Sequence, residues 1–288
     1  MAIIKGTQGH DILDGTTGDD LIRGKAGNDF LNGNGGNDIL LGGAGDDLLR
    51  VDFSRGNNLL FGGIGNDNLY ATDTSGNNIL IGGAGDDNLY VDFSRGDNLL
   101  LGGDGNDFLS ASTFLIAVDF NGPRPSGNNT LDGGAGDDYL DVSNSTGNNL
   151  LLGGVGNDVL VASDALGNNT LFGGDGIDTF VFNSYQGTAV NIGDFDVTND
   201  VFQIFGGIVV DGEVLVEGFG GGLLEGSLSA SQFTLGTSAT TDTQRFIYNS
   251  SNGALYFDQD GSNSGFTQVQ IAQLSTGLAL TENNFLVV

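Results

Sequence analysis

The sequence predicts an all-β fold: a right-handed parallel β-roll, or β-helix solenoid, closed by a C-terminal β-rich capping domain. Three observations predict it. A nine-residue glycine period opens the chain, the period lengthens to twenty after residue 50, and an apolar residue returns at one fixed place in every unit. Glycine supplies 52 of 288 residues and proline only 2. With a regular apolar pattern, that composition points to stacked repeats rather than to a collagen-like or disordered chain.

The first five units are GTQGHDILD (6–14), GTTGDDLIR (15–23), GKAGNDFLN (24–32), GNGGNDILL (33–41) and GGAGDDLLR (42–50). Each has Gly at places 1 and 4, Asp at place 6 and Leu or Ile at place 8. Full loops then begin at Gly62, Gly82, Gly102, Gly133, Gly153 and Gly173, and weaker loops such as FSRGNNLLF (53–61) lie between them. Two units make one coil of two short strands and two turns, so 18-residue coils give way to 20-residue coils. One edge, A, collects the full loops beginning at 6, 24, 42, 62, 82, 102, 133, 153 and 173. The other, edge B, collects the loops at 15 and 33 and then six versions with Asn at place 6: Asn58, Asn78, Asn98, Asn129, Asn149 and Asn169. The step from Gly102 to Gly133 is eleven residues longer, which predicts an insertion at 113–123 that loops out of the stack.

Side chains alternate across a strand, so place 8 points inward from both edges: Ile22, Leu31, Leu40, Leu49, Leu60, Leu69 and their successors to Phe180. Place 10 of the longer coils, Val51, Ala71, Val91, Val142 and Ala162, is predicted inward too. Places 7 and 9 then face outward. On strands leaving edge B they hold Ile39, Leu41, Leu59, Phe61, Ile79, Ile81, Leu99, Leu101, Leu150 and Leu152. Such an apolar outer ladder marks an interaction surface. The candidate covers are a second copy of the chain or a surface-layer assembly, the C-terminal segment, and the insertion.

Acids number 37 and bases 8, a formal net charge of −29. Nucleic acid is excluded as a partner because its binding needs a basic surface, and an anionic membrane surface would repel the chain. No apolar run reaches membrane-spanning length, so no membrane insertion is expected; the expected partners are cations. The aspartates recur at one register, and stacked at the spacing of strands, about 4.8 Å, they repel one another unless something positive lies between them.

The Gly-x-x-Gly-x-Asp register over residues 6–180 resembles the RTX (repeats-in-toxin) family of calcium-binding β-rolls. The resemblance implies Ca2+ ions between successive loops of one edge. One loop would give carbonyls from places 1 and 3, its neighbour carbonyls from places 2 and 4, and the place-6 aspartates would complete the shell. Carried onto this chain, the carboxylates are Asp11, Asp29, Asp47, Asp67, Asp87, Asp107, Asp138, Asp158 and Asp178, about eight ions along edge A. Asp20 and Asp38 would hold one on edge B. The carbonyl ligands would be those of Gly42, Ala44, Gly62, Ile64, Gly82, Ala84, Gly102, Asp104, Gly133, Ala135, Gly153, Val155, Gly173 and Asp175. From Asn58 onward edge B departs from the pattern; a neutral amide balances a cation poorly, and a stacked amide ladder is expected there. Asp97 stands at place 5 and is expected to face solvent.

Three regions are expected: a roll over 1–182, a capping segment over 183–205 and a C-terminal β-domain over 206–288. NIGDFDVTNDVFQI (191–204) and RFIYNSSNGALYFDQDGS (245–262) resemble the closing segments of serralysin-type exported proteins, and Asp194, Asp196 or Asp200 is a candidate to assist the last ion. Asp258-Gln259-Asp260-Gly261 reads as a hairpin turn. The final ENNFLVV resembles the uncleaved signal of type I secretion, and no N-terminal signal peptide is recognised. The expectation is an extracellular or cell-surface protein that folds where calcium is abundant.

No catalytic constellation is recognised. The chain has no cysteine and one histidine, His10, which excludes thiol chemistry and an HExxH zinc site. The expected function is a non-enzymatic calcium-binding roll with a structural, surface or matrix role. The alternative is a calcium-dependent polysaccharide- or partner-binding module, for which Tyr70 and Tyr90 are the candidate contacts.

Overall fold

A computed structural model describes residues 1–113, 124–210, 213–216, 218–220 and 223–288. Two long sheets face each other, and the chain alternates between them. One sheet stacks Ala2–Lys5, Asp20–Ala26, Ile39–Ala44, Leu59–Ile64, Ile79–Ala84, Leu99–Asp104, Thr130–Ala135, Leu150–Val155, Thr170–Asp175 and Val190–Ile192, each parallel to the next. The other stacks three- and four-residue strands in the same sense, from Ile12–Asp14 through Asn68–Tyr70 and Tyr139–Asp141 to Val201–Ile204. The predicted parallel solenoid is therefore the fold, and no α-helix occurs among the described residues.

Register is uniform because every coil repeats the same places. Leu60 lies opposite Leu80, Leu80 opposite Leu100, and Leu100 opposite Leu131. The last step spans the insertion without a shift, since Leu99 pairs with Thr130 and Gly103 with Gly134. Place 8 is fully buried from Ile22 and Leu31 to Leu160 and Phe180, and so are Val51, Ala71, Val91 and Val142 at place 10. A fifth residue of that class, Ala111, completes the second row. The longer coil thus widens the core by one small side chain without disturbing the strands.

The C-terminal segment continues both sheets instead of lying over them. Val269–Gln273 adds parallel to Val190–Ile192, then Ala254–Phe257 and Phe246–Asn249 follow antiparallel, with Phe233–Leu235 outermost. Phe285–Val287, from the terminal ENNFLVV, adds parallel to Val201–Ile204 with Phe285 and Val287 buried. A sheet end left open would offer unpaired backbone groups to another chain, and here the chain's own end occupies it. Between the extended sheets lies an aromatic plug: Phe195 stacks on Phe202 at 4.3 Å, and Phe246 packs against Phe285 at 5.0 Å and Phe257 at 5.4 Å. Residues 258–268 connect two antiparallel strands, Ala254–Phe257 and Val269–Gln273, so Asp258–Gly261 opens a longer connection and is not a tight hairpin turn by itself.

On the outer face of the first sheet, Phe61, Ile79 and Phe172 are exposed and Leu59, Leu99, Leu101, Leu150 and Leu152 half-buried. The described C-terminal strands do not lie over this face. Residues 114–123 of the insertion, the other internal cover considered, lie outside the described residues.

Candidate metal centre

The turn on edge A begins where a strand such as Leu59–Ile64 runs on through places 1 to 3 of the full loop. Place 2 needs a positive φ, and glycine supplies it at Gly43, Gly63, Gly83, Gly103, Gly134, Gly154 and Gly174, with φ from 103° to 127°. With no side chains there, loops of successive coils press directly on each other's backbone. A Cβ at Gly83 would stand 2.2 Å from the Gly63 carbonyl oxygen.

The place-6 aspartates form one column. The backbone N–H of each donates to Oδ1 of the aspartate one coil further on: Asp11 to Asp29, Asp29 to Asp47, then through Asp67, Asp87, Asp107, Asp138, Asp158 and Asp178 to Asp200, at 2.7–3.0 Å. The column crosses the insertion unbroken, with 2.7 Å between Asp107 N and Asp138 Oδ1.

The second oxygen of each carboxylate has no such partner. Oδ2 of Asp29, Asp47, Asp67, Asp87, Asp107, Asp138, Asp158 and Asp178 on edge A, and of Asp38 on edge B, is buried without a hydrogen bond. A buried carboxylate oxygen left unpaired is costly, and nine in one register need a common explanation. These oxygens face backbone oxygen. A Cβ placed on Gly82 would meet Asp87 Oδ2 at 2.2 Å and the Gly102 carbonyl at 2.7 Å; at Gly102 the same point lies 2.2 Å from Asp107 Oδ2 and 2.5 Å from the Gly133 carbonyl. Gly42, Gly133 and Gly153 repeat the arrangement, and Gly62 and Gly173 have Oδ2 of their own loop's aspartate at 2.3 and 2.1 Å. The place-3 carbonyls of Ala44, Ile64, Ala84, Asp104, Ala135, Val155 and Asp175 turn to the preceding loop, where each accepts the place-4 N–H at 2.7–2.9 Å. Carbonyls of places 2 and 4 turn the other way: Gly63 and Gly65 oxygens lie 2.2 and 2.3 Å from the Cβ positions of Gly83 and Gly85.

Each gap is thus lined by carbonyls 2 and 4 of one loop, carbonyls 1 and 3 of the next, and a carboxylate oxygen. That hard, all-oxygen set suits a cation that takes six to eight oxygens. Among the described residues no three acidic or imidazole side chains converge by themselves, so backbone oxygen has to supply most of such a shell. The residues present fit Ca2+.

Burial is the largest cause raising these carboxylates, and like-charged neighbours add to it. Asp67, Asp107 and Asp138 are pushed up to about 7, and Asp38, Asp47, Asp87, Asp158 and Asp178 to about 6, against an ordinary value of 3.8. Groups raised in the folded state favour folding most below their unfolded value and lose that contribution as pH climbs through the folded one. The metal-free chain is therefore expected to be most ordered near pH 4 and to lose structure as pH rises through 6 to 7. Circular dichroism in chelator against pH checks this, and increasing order with rising pH would contradict it.

Edge B follows the departure read in the sequence. Nδ2 of Asn58, Asn78, Asn98, Asn129 and Asn149 donates to Oδ1 of the next asparagine at 2.8–3.1 Å and to its own loop's glycine carbonyl at 2.8–3.1 Å. Buried Thr74, Ser94 and Ser145 hydroxyls accept further bonds from this ladder. The amides are saturated by one another, which leaves no free oxygen comparable to the edge A column.

Two features went unread in the sequence. Place 5 on edge A alternates strictly along the stack, Asn28, Asp46, Asn66, Asp86, Asn106, Asp137, Asn157, and each side chain accepts the next coil's N–H at 2.7–3.0 Å. Alternation keeps like charges out of adjacent strands, where they destabilise; it was visible once the loops were aligned by coil. The closing aspartates also divide their roles. Asp194 accepts the N–H groups of Gly173 and Gly174, Asp196 bonds Thr198, and Asp200 ends the column by accepting from Asp178 and Asp196. Asp97 is exposed, as expected, and its Oδ1 accepts the Asn128 N–H at 2.7 Å; His10 is exposed too.

On the outer face of the second sheet, Tyr70 stacks on Tyr90 at 4.9 Å and Phe108 on Tyr139 at 5.1 Å, with Tyr90 and Phe108 5.5 Å apart. Beyond Tyr70 lies a groove of about 560 Å³ lined by Leu48, Arg50, Asp52, Asn68, Tyr70 and Thr72.

The sequence model of the RTX calcium-binding nonapeptide repeat (4 copies) matches residues 3–24, 14–49, 54–73, 71–93, 94–113, 126–144 and 143–180. Among solved structures, the chain is similar to the solution structure of the AlgE6R3 subunit from the Azotobacter vinelandii mannuronan C5-epimerase. The identity is 22%, over 55% of this chain and 76% of that one, with a TM-score of 0.32. No curated protein matches the chain.

Proposed function

The chain belongs to the family of RTX calcium-binding nonapeptide repeat proteins, and from that premise we propose that it is a non-enzymatic roll that folds on calcium and serves a structural or surface role. The observation that carries this reading is the set of nine buried carboxylate oxygens without partners, repeated at one register. Eight lie on edge A, in the loops beginning at Gly24, Gly42, Gly62, Gly82, Gly102, Gly133, Gly153 and Gly173, and the seven gaps between these loops are the principal sites. In each, the place-6 carboxylates and the carbonyls of places 1 to 4 hold the ion. Calcium supplies the positive charge that this acidic chain lacks, and it couples binding energy to folding. An extracellular setting suits such a chain, because modules there bind calcium at about 10⁻⁴–10⁻³ M.

The outer ladder of Leu59, Phe61, Ile79, Ile81, Leu99, Leu101, Leu150 and Leu152 supports self-assembly with a second copy. With the intervening Thr130–Ala135 these residues span five strands, and five strands at about 4.8 Å with six residues at about 3.3 Å give a face of roughly 24 by 20 Å. Two such faces would bury roughly 1,000 Å², at the low end for a specific interface. Sedimentation velocity tests both parts. In millimolar calcium a compact dimer or polymer is expected, and Leu99→Asp/Leu101→Asp is expected to return it to a compact monomer. A wild-type chain that stays monomeric in calcium at every concentration would refute assembly. Absence of calcium-dependent compaction would refute the calcium reading.

A second reading has one observation in its favour. The strip Tyr70, Tyr90, Phe108 and Tyr139 ends in the groove beside Arg50 and Asp52, a combination of ring face and polar groups that suits a saccharide.

A further inference from the structure

We propose that the first loop of edge A is a calcium-free end cap, in which a threonine hydroxyl stands where the later loops of that edge hold an ion, and that the first loop of edge B is closed in the same way. This rests on the calcium reading of the later loops. The sequence marks the first loops: place 2 is Thr7 in GTQGHD and Thr16 in GTTGDD, and on edge A the loops from 42 onward have glycine there.

These threonines satisfy the oxygen that is orphaned further along. Asp11 Oδ2 accepts the Thr7 N–H at 2.5 Å and its hydroxyl at 3.0 Å; Asp20 Oδ2 accepts the Thr16 N–H at 2.5 Å and its hydroxyl at 2.9 Å. The same hydroxyls accept the place-4 N–H groups, Gly9 at 3.2 Å and Gly18 at 3.1 Å. On edge A that donor, from Gly27 onward, goes to the next loop's place-3 carbonyl. Asp11 and Asp20 are accordingly absent from the row of unpartnered buried carboxylates that begins at Asp29 and Asp38.

The second loops complete the cap. The Lys25 ammonium donates to the Gly6 carbonyl, and Asn34 Nδ2 donates to the Gly15 carbonyl at 2.9 Å. Both acceptors are the place-1 carbonyl of a first loop. Both donors come from place 2 of the following loop, at φ of 95° and 63°. A lysine in that conformation is strained, and later coils relieve the strain with glycine. Its retention here follows from what the side chain does: a tethered cation and a tethered amide close the carbonyls at the N-terminal end of each column. Because Thr7 already bonds Asp11 Oδ2, the carboxylate oxygen of the first gap, calcium occupies edge A from the gap after Gly24, and the gap between loops 6 and 24 holds none.

Anomalous scattering from calcium-loaded crystals of the full chain tests this directly. Peaks are expected between loops from Gly24 to Gly173 and none between Asp11 and Asp29; a peak in that first gap overturns the cap. Native mass spectrometry gives a second reading. Thr7→Gly/Lys25→Gly, which restores the glycine pattern, is expected to bind one calcium more than the wild-type chain. An unchanged count in a folded variant overturns the cap alone, whereas a wild-type chain that binds no calcium overturns the reading beneath it.

Discussion

In chelator the chain is expected to lose most of its β-structure and expand, with the radius of gyration growing roughly threefold toward that of an unfolded chain of this length. The coils from Gly24 to Gly173 stack eight aspartates at strand spacing, and each buries one oxygen without a hydrogen bond. Without a cation, every additional coil adds a desolvated carboxylate beside another. The local bonds from backbone N–H to Oδ1 lower that cost but do not remove it, since burial still pushes Asp67, Asp107 and Asp138 up to about 7. Small-angle scattering and circular dichroism before and after rigorous calcium removal decide the matter. Addition of calcium should restore the compact form, and an unchanged signal in chelator would mean that the oxygens find another partner.

Gly103→Ala is expected to be strongly damaging for a change of a single methyl group. Gly103 sits in the middle of the stack at φ 122°, and a Cβ there would lie 2.2 Å from the Gly83 carbonyl oxygen. The backbone conformation alone costs about 1–3 kcal/mol for a residue with a side chain. The contact then forces the two loops apart, which opens the gap where the carbonyls of Gly83 and Gly102 would meet an ion. Loss of at least one bound calcium and a lower unfolding midpoint in calcium are expected together. Calorimetry and native mass spectrometry on the folded variant measure the two. Retention of wild-type stability would show that the loops do not pack as closely as this geometry requires.

Much of this was legible in the sequence because a solenoid repeats its own register. Place 8 was readable as core and place 6 as a column from spacing alone, and Leu100 and Asp107 lie where that spacing puts them. Replacement of Asp by Asn at Asn58 foretold the change on edge B, since a neutral amide both donates and accepts and can satisfy its own neighbours. The insertion was legible as harmless for the same reason: a coil needs its strands in register, whatever length of chain joins them.

Other features depended on which residues meet across coils. Phe195 and Phe202, Phe246 and Phe285 share no period, so their assembly into a plug between the sheet ends came only from the way the C-terminal strands add to both sheets. Tyr70 and Tyr90 share place 9 and Phe108 and Tyr139 share place 7, and the two pairs become one strip only when stacked. Thr7, Lys25 and Asn34 looked like small departures from a glycine pattern, and their partners, 4 to 19 residues away in sequence, lie in the same or the adjacent coil. The sequence by itself determined the repeating unit, because periodicity fixes which side chains point inward and which oxygens line an edge. The tertiary structure decided which partners satisfy the first and last loops, because those contacts join residues that obey no period.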